Sequence, residues 1–540
     1  MKKANILNRL NEITKSYSFF FVLATIVIRD FSGPIDTLFS KNNKDHLNHN
    51  EFSFLIGLWI KNIDFNNKNE LKEEEIFPET YDLMEKLHYT FFNDFKFNHE
   101  SIPDFKEHFS KAKILQETMF YAGTGAYDKQ YKELVTEKYK YDVEWLQNEK
   151  GFNLNSLPQF YDNIKNVLQE KLNNRSFKKN LSHRAMAIQV FCLNKEEIVK
   201  ENKDFEIILN HFQIDLAEAH NKEFNDLGDF NLFSEKPILK IKDNLYFIPS
   251  TFALSESMYE SLYYWMLADK KYLDTALKNR GNVAEEITKN ILEPVFGSKN
   301  IYQNIIINRT KSEQVTDIDM LAILNDTAII FQIKSKKLTS LSKKGDMGSI
   351  KNDFKKAIQD AYDQAILSRK CLENFQNYKF PFQDDDFKNR LPKIKNFLIV
   401  TIVLDDYPAI THQVHVLLEN NSDDLPVAIN IFDLALIAKY LSKPEKFTDY
   451  ISKRTKYSNY FKATNEMGFL GFHLDQGLKK YDGDLVYLDE SWAQSIDKKY
   501  YQEVYKNREE RTHSKKTQRN DLCYCNSGLK YKKCHGKLYV

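Results

Sequence analysis

The chain has 540 residues, of which 42% are hydrophobic and 28% charged, with 16 glycines and 12 prolines. Such a length accommodates roughly two to four domains with a large core, and so little glycine and proline argues against long disordered linkers and repeat-rich β architectures. Lysine plus arginine number 77 against 76 aspartate plus glutamate, a net charge of +1, so bulk charge makes no case for a nucleic-acid partner and only local patches can.

Residues 1–230 read as a mainly α-helical region of unassigned role. Leu55, Leu58, Trp59 and Ile63 keep helical spacing, as do Tyr81, Leu83, Met84 and Leu87. The apolar run Phe19–Ile28 is too short to span a bilayer and follows a polar start without a small-residue cleavage site, so it is expected to be buried. The expectation is a cytoplasmic protein without a membrane segment. Gly123-Thr124-Gly125 lacks the third glycine and the strand–turn–helix context of a nucleotide loop, and is read as an ordinary loop. His46, His49 and His183 are read as packing or surface residues rather than ligands.

Residues 231–275 hold a hairpin, PILKIKDNLYFIPS, turning near Asp243-Asn244, and an aromatic helical run from Ser255 to Leu267. Residues 276–405 then read as a core: a helix from Asn279 to Leu292, strands Tyr302–Asn308, Asp317–Leu324 and Ala328–Lys334, a helix from Asp353 to Leu372, and the apolar strand Asn396–Leu404. The order is αβββαβ. Residues 406–495 read as a helical extension packing on the core, residues 496–520 as a basic linker, and residues 521–540 as a small cysteine-bearing module.

The two central strands meet at an Asn325-Asp326 turn. Asp317 and Asp319 share one face of the first by the two-residue period of a strand, and Gln332 and Lys334 share one face of the second. Buried apolar strands gain nothing from such groups unless they are paired, solvated or ligating, because isolated buried charge is costly. They are read as a metal site.

With Glu285 on the first helix (GNVAEE), Asp319 on the second strand (DIDML) and Gln332-Ile333-Lys334 on the third, the core resembles the PD-(D/E)xK nuclease superfamily. The Gln-x-Lys form resembles the Mrr-like restriction endonucleases and the nuclease-related (NERD) domains. The resemblance implies a restriction-endonuclease-like α/β fold with a mixed central sheet, and a metal-dependent endonuclease. Asp319 becomes the principal Mg²⁺ or Mn²⁺ ligand, with Gln332 offering an amide oxygen where relatives place a carboxylate. Lys334 orients or deprotonates the attacking water, and Glu285 completes the metal shell. Asp317 and Glu286 remain the alternatives to Asp319 and Glu285, one pleat and one residue away. Of Gln359, Asp360 and Gln364 on the following helix, Gln364 is the choice for contact with the substrate backbone. The stretch after the third strand carries Lys336, Lys337, Lys343 and Lys344 and is expected to hold phosphates. DNA is the expected substrate ahead of RNA, and restriction or antiviral defence the expected role. The alternative is a catalytically inactive nuclease-fold adaptor that binds nucleic acid or a protein.

The segment from Lys498 to Arg519 is rich in Lys and Arg and reads as a charged helix that frays. It leads to Cys523-Tyr-Cys525-Asn-Ser-Gly-Leu-Lys-Tyr-Lys-Lys-Cys534-His535, which resembles the SEC-C motif. Three thiolates and one imidazole meet the needs of a closed tetrahedral Zn²⁺ site, structural rather than catalytic. A protein partner docking through this zinc knuckle is a further expectation.

Overall fold

The computed structural model describes residues 2–32, 46–64, 71–92, 112–121, 125–173, 183–408, 411, 414–419, 425–483 and 485–513. The described part of the first 230 residues is mostly helical, and the run Phe19–Ile26 is a helix with all but one of its side chains buried. Two short strands interrupt the helices, β1 (Cys192–Asn194) and β2 (Gln213–Asp215). They join the hairpin β3 (Ile238–Lys242) and β4 (Leu245–Phe247) in a sheet of order β1-β4-β3-β2. The expected line at residue 230 therefore runs through a sheet. Backbone pairing needs neighbours in space rather than in sequence, and three-residue strands carry too little pattern to be read in advance.

Three helices lead to the site. They are α1 (Asp128–Lys138), α2 (Thr251–Ala268) and α3 (Leu273–Phe296). The central sheet has the order β5 (Ile301–Asn308), β6 (Gln314–Leu324), β7 (Thr327–Lys334), β8 (Asn396–Val403) and β9 (Val427–Asn430). The first three strands pair antiparallel and the last three parallel, which makes the sheet mixed. Asn325 takes φ +54° at the β6–β7 turn, a left-handed conformation that Asn tolerates better than most residues. Between β7 and β8 runs α4 (Asp360–Glu373), preceded by a π-helical turn at Lys355–Gln359 and by a helix that already starts at Met347.

Both faces of the sheet are covered, which is why β7 and β8 read as continuous apolar runs rather than alternating ones. Met320, Ala322, Ile329 and Phe331 pack with Val283, Ala284 and Ile287 of α3 in one core. Leu321, Ile323, Ala328 and Ile330 pack with Tyr362, Ala365 and Leu372 of α4 in the other. Strand β9 lies outside the expected 276–405 core and inside the segment expected to be a helical extension. Its four residues, all buried, pair parallel with β8, so the sheet extends past residue 405.

The chain closes with a two-stranded parallel pair, β10 (Phe461–Ala463) and β11 (Val486–Leu488), and with α5 (Glu490–His513). Helix α5 covers most of the expected linker and returns to the N-terminal helices. Tyr127 donates to Asp497 Oδ1 at 2.6 Å and stacks on Tyr500 with ring centroids 3.9 Å apart. Among the described residues no helix is long and apolar enough to cross a membrane.

Candidate active site

The site forms where the β5–β6 ladder skips one pair. Gln303 is opposite Met320 and Ile305 opposite Ile318, but Asn304 and Asp319 are left out of the pairing, with Asn304 at φ +49°. The alternation of faces reverses there. Ile301, Met320 and Ala322 belong to the core under α3, whereas Ile305, Ile307 and Ile318 belong to the core under α4. A local irregularity of this kind re-aims side chains. Regular alternation would have set Asp317 and Asp319 on the face of Leu321 and Ile323, beneath α4. The reversal instead turns Asp317 toward α3 and leaves Asp319 at the pivot, which corrects the expectation that the two aspartates share a face.

Asp319 fills the gap it creates. The β6–β7 register ends at Met320 and Phe331, and beyond it the Ile333 N–H donates to Asp319 Oδ2 at 2.6 Å. Burial pushes the Asp319 carboxyl up, opposed by that amide and by the Lys334 charge. Glu285, half-buried on α3, is also pushed up, first by burial and then by the charges of Asp319 and Asp317, while Lys334 and the Asn304 side chain oppose the shift. Helix α3 and strands β6 and β7 thus bring three ionisable groups of the expected set into one field.

Gln332 is fully buried. Its Nε2 donates to the Asp317 carbonyl at 2.9 Å, and its Oε1 receives no hydrogen bond from the described residues. An amide oxygen buried without a donor costs free energy unless a cation or water meets it. Lys334 Nζ donates to Gln364 Oε1 at 3.0 Å, and Gln364 Nε2 reaches the Asp317 carbonyl at 3.3 Å. Ser368 Oγ donates to the same carbonyl at 3.1 Å. Gln364 therefore meets Lys334, and its amide orients the lysine.

Glu286 does not compete with Glu285. It faces the N-terminal helices, where Lys140 and the Tyr141 hydroxyl hold its carboxylate and lower its pKa. Among the described residues no group of three His, Cys, Asp or Glu side chains is placed to hold a metal ion. The donors near the reversal are thus the carboxylates of Asp319 and Glu285 and the amide oxygen of Gln332. These are oxygen ligands of the kind Mg²⁺ and Mn²⁺ take, with less negative charge than a triple-carboxylate site.

The lysines that follow β7 are not a free phosphate-facing loop. Lys336 pairs with Asp353 at 2.9 Å and Lys344 with Asp229 at 2.8 Å. Lys337 is nine-tenths buried and pairs with Glu260, because the chain leaving β7 turns inward against α2 instead of out to solvent. Lys343 is exposed and is the one of the four for which no ion pair is recorded among the described residues.

Sequence reasoning missed Asn304, whose place inside a strand was the available signal, since Asn is depleted in strands. It also missed a buried network at the mouth of the sheet. Asp405 follows β8 and meets Arg280 of α3 and, at 3.3 Å, Lys138 of α1. The Arg280 Nε donates to the Ser335 carbonyl at 2.8 Å, tying this network to the end of β7. These residues lie far apart in sequence and no motif links them.

Cys523, Cys525, Cys534 and His535 lie outside the described residues. Residues 519–537 match the family model of the SEC-C motif, and residues 280–400 that of the nuclease-related domain. No curated protein and no solved structure matches the chain. The second match spans α3 and the sheet through most of β8, so Glu285, Asp319, Gln332, Lys334 and Gln364 all fall within it. The chain carries a nuclease-related domain at its centre and a SEC-C motif near its end.

Proposed function

We propose that the central domain is a metal-dependent endonuclease that hydrolyses phosphodiester bonds, in DNA ahead of RNA, at the Glu285–Asp319–Gln332–Lys334 site. The observation that carries this reading is the reversal at Asn304 and Asp319, which concentrates these groups beside a buried amide oxygen with no donor. Asp319, Gln332 and Glu285 would hold Mg²⁺ or Mn²⁺. When bound, the cation supplies charge neutralisation at the phosphate and makes a water molecule more acidic.

The protein's own groups have separate tasks. Asp319 keeps one oxygen on the Ile333 amide, which fixes its orientation, and leaves the other for a ligand. Lys334, steered by Gln364, places a positive charge where the attacking water and the pentacovalent phosphorus develop negative charge. Gln332 anchors the site to the Asp317 carbonyl through its NH₂ and offers its oxygen inward. We further propose that Cys523, Cys525, Cys534 and His535 hold a structural Zn²⁺, since three thiolates and one imidazole fill a tetrahedral site. The knuckle then serves as a docking appendage for nucleic acid or a protein partner. A role in restriction or defence against foreign DNA is consistent with the Mrr-like resemblance.

The test is Mg²⁺- or Mn²⁺-dependent cleavage of plasmid, single-stranded DNA and RNA by the full chain, with Asp319→Ala and Lys334→Ala as controls. Each substitution is expected to lower the rate at least about 100-fold. Cleavage surviving both would remove the reaction from this site. The small charge of the donor set favours one second reading, an inactive adaptor. It is supported if the purified protein binds DNA without cutting it under either metal and if removal of residues 521–540 abolishes that binding.

A further inference from the structure

A cavity of about 470 Å³ lies between the N-terminal helices and the carboxyl ends of β7 and β8. Lys337 and Leu338 line it from the exit of β7, Asp405 and Asp406 from the exit of β8, and Glu256 and Glu260 from α2. The crevice beyond the carboxyl ends of parallel strands is where open α/β sheets collect ligands. The volume is that of a small organic molecule and far beyond a bare ion.

The charges of the wall do not balance. Three of its acids are neutralised by neighbours: Asp229 by Lys344, Glu260 by Lys337, and Asp405 by Arg280 and Lys138. The other three, Glu235, Glu256 and Asp406, form no ion pair among the described residues. Two of these, Glu256 and Asp406, are the most enclosed, and the polar contacts of Asp406 include the Asn430 amide, Nδ2 to Oδ1 at 3.2 Å. Both are enclosed by protein, yet each keeps accessible surface, and both line the cavity. Gly125 presses on Asp406 so closely that a Cβ there would meet the carboxyl carbon at 2.0 Å. Gly125 thus abuts an acid, the reverse of a phosphate cradle. Aromatic faces complete the wall, among them Phe54, Phe120, Tyr131 and Tyr264.

We propose that this cavity binds a small organic cation, an amine or guanidine carried on an apolar body. Six acids against two lysines in the wall disfavour an anion. Carboxylates that form no ion pair among the described residues, and several ring faces, suit a desolvated cation. With nothing bound, burial pushes Asp406 up to about 7 and raises Glu256 as well. Asp406 faces Lys343, Asp405, Asn430 and Asp433, and Glu256 faces Lys343, Lys337, Asp406 and the Tyr131 hydroxyl. A cationic occupant adds positive charge where the wall's acids outnumber Lys337 and Lys343. The proposal stands independently of the nuclease reading.

The experiment is calorimetric titration of nucleic-acid-free full-length protein with agmatine, spermidine and ATP, alongside Glu256→Gln and Asp406→Asn variants whose cooperative unfolding is checked first. Saturable binding of agmatine or spermidine is expected, weakened about tenfold or more by either substitution and strengthening from pH 6 to pH 8 as the carboxylates ionise. If one variant does not fold, the other and the wild-type pH series decide. No saturable cation binding, binding indifferent to pH and to the substitutions, or binding of ATP in place of the cations would overturn the proposal.

Discussion

The Ile333 amide donates to Asp319 Oδ2 at 2.6 Å, a backbone group of one strand satisfied by a side chain of its neighbour where the ladder between them has ended. The bond gives Asp319 two jobs, closing the sheet and presenting an oxygen to the site. Substitutions separate them. Asp319→Asn keeps an acceptor for Ile333 and should unfold within a few degrees of wild type, yet cleave DNA at least about 100-fold more slowly. Asp319→Ala strands the amide and should in addition lose about 1–3 kcal/mol in urea unfolding. Equal stability of the two variants would show that the bond contributes nothing.

Gln332→Glu tests why an amide stands where many nucleases have an acid. The substitution removes the donor to the Asp317 carbonyl and sets a charge against it, in a fully buried position. Without metal the variant should be less stable by about 1–3 kcal/mol. Mn²⁺ should recover a larger part of that loss than it adds to wild type, measured as the rise in Tm with and without the ion.

Asp405→Asn should be among the most damaging single changes outside the site. It leaves the Arg280 guanidinium buried without a carboxylate partner and leaves Lys138 only Glu260, at 3.8 Å. Breaking a buried pair in this way costs about 3–5 kcal/mol. Chemical denaturation at pH 7 gives the figure, and a loss below about 1 kcal/mol would mean that water reaches the cluster.

Asp497 supplies a pH signature. Burial pushes it up to about 6, against the hydrogen bond from Tyr127. Because the folded value exceeds the unfolded one, the native state holds the extra proton between the two values. The wild type therefore loses stability as pH rises from about 4 to about 6 and stays at the lower level above that. Asp497→Asn does not titrate. It should be more stable than wild type at pH 7.5 by about 1–2 kcal/mol, with the advantage gone near pH 4. Parallel unfolding curves across that range would refute the assignment.

For the tail, purified protein should carry about one zinc per chain, lost in Cys523→Ser while the thermal unfolding of the central domain is unchanged. A metal-free wild type prepared without chelators would contradict the knuckle.

The amino-acid sequence by itself determined the elements of the central domain. Apolar runs and turn residues placed β5 to β8 within a few residues, and the pattern of Glu285, Asp319, Gln332 and Lys334 pointed to a candidate site, because strand periodicity and motif spacing are local properties. The cysteine spacing of the SEC-C motif was legible for the same reason. What only the tertiary structure decided depends on groups distant along the chain. Val427–Asn430 is a strand because β8 offers it a parallel edge, and β1 and β2 exist because the β3–β4 hairpin does. Glu286 leaves the site because Lys140 and Tyr141 claim it. Lys336, Lys337 and Lys344 are paired because Asp353, Glu260 and Asp229 stand where the loop passes. Above all, regular alternation put Asp317 and Asp319 on one face, and the skipped pair at Asn304 undid that. A single left-handed residue on the neighbouring strand turns Asp317 to the other face and leaves Asp319 at the pivot, and that reversal resides in the pairing of two strands.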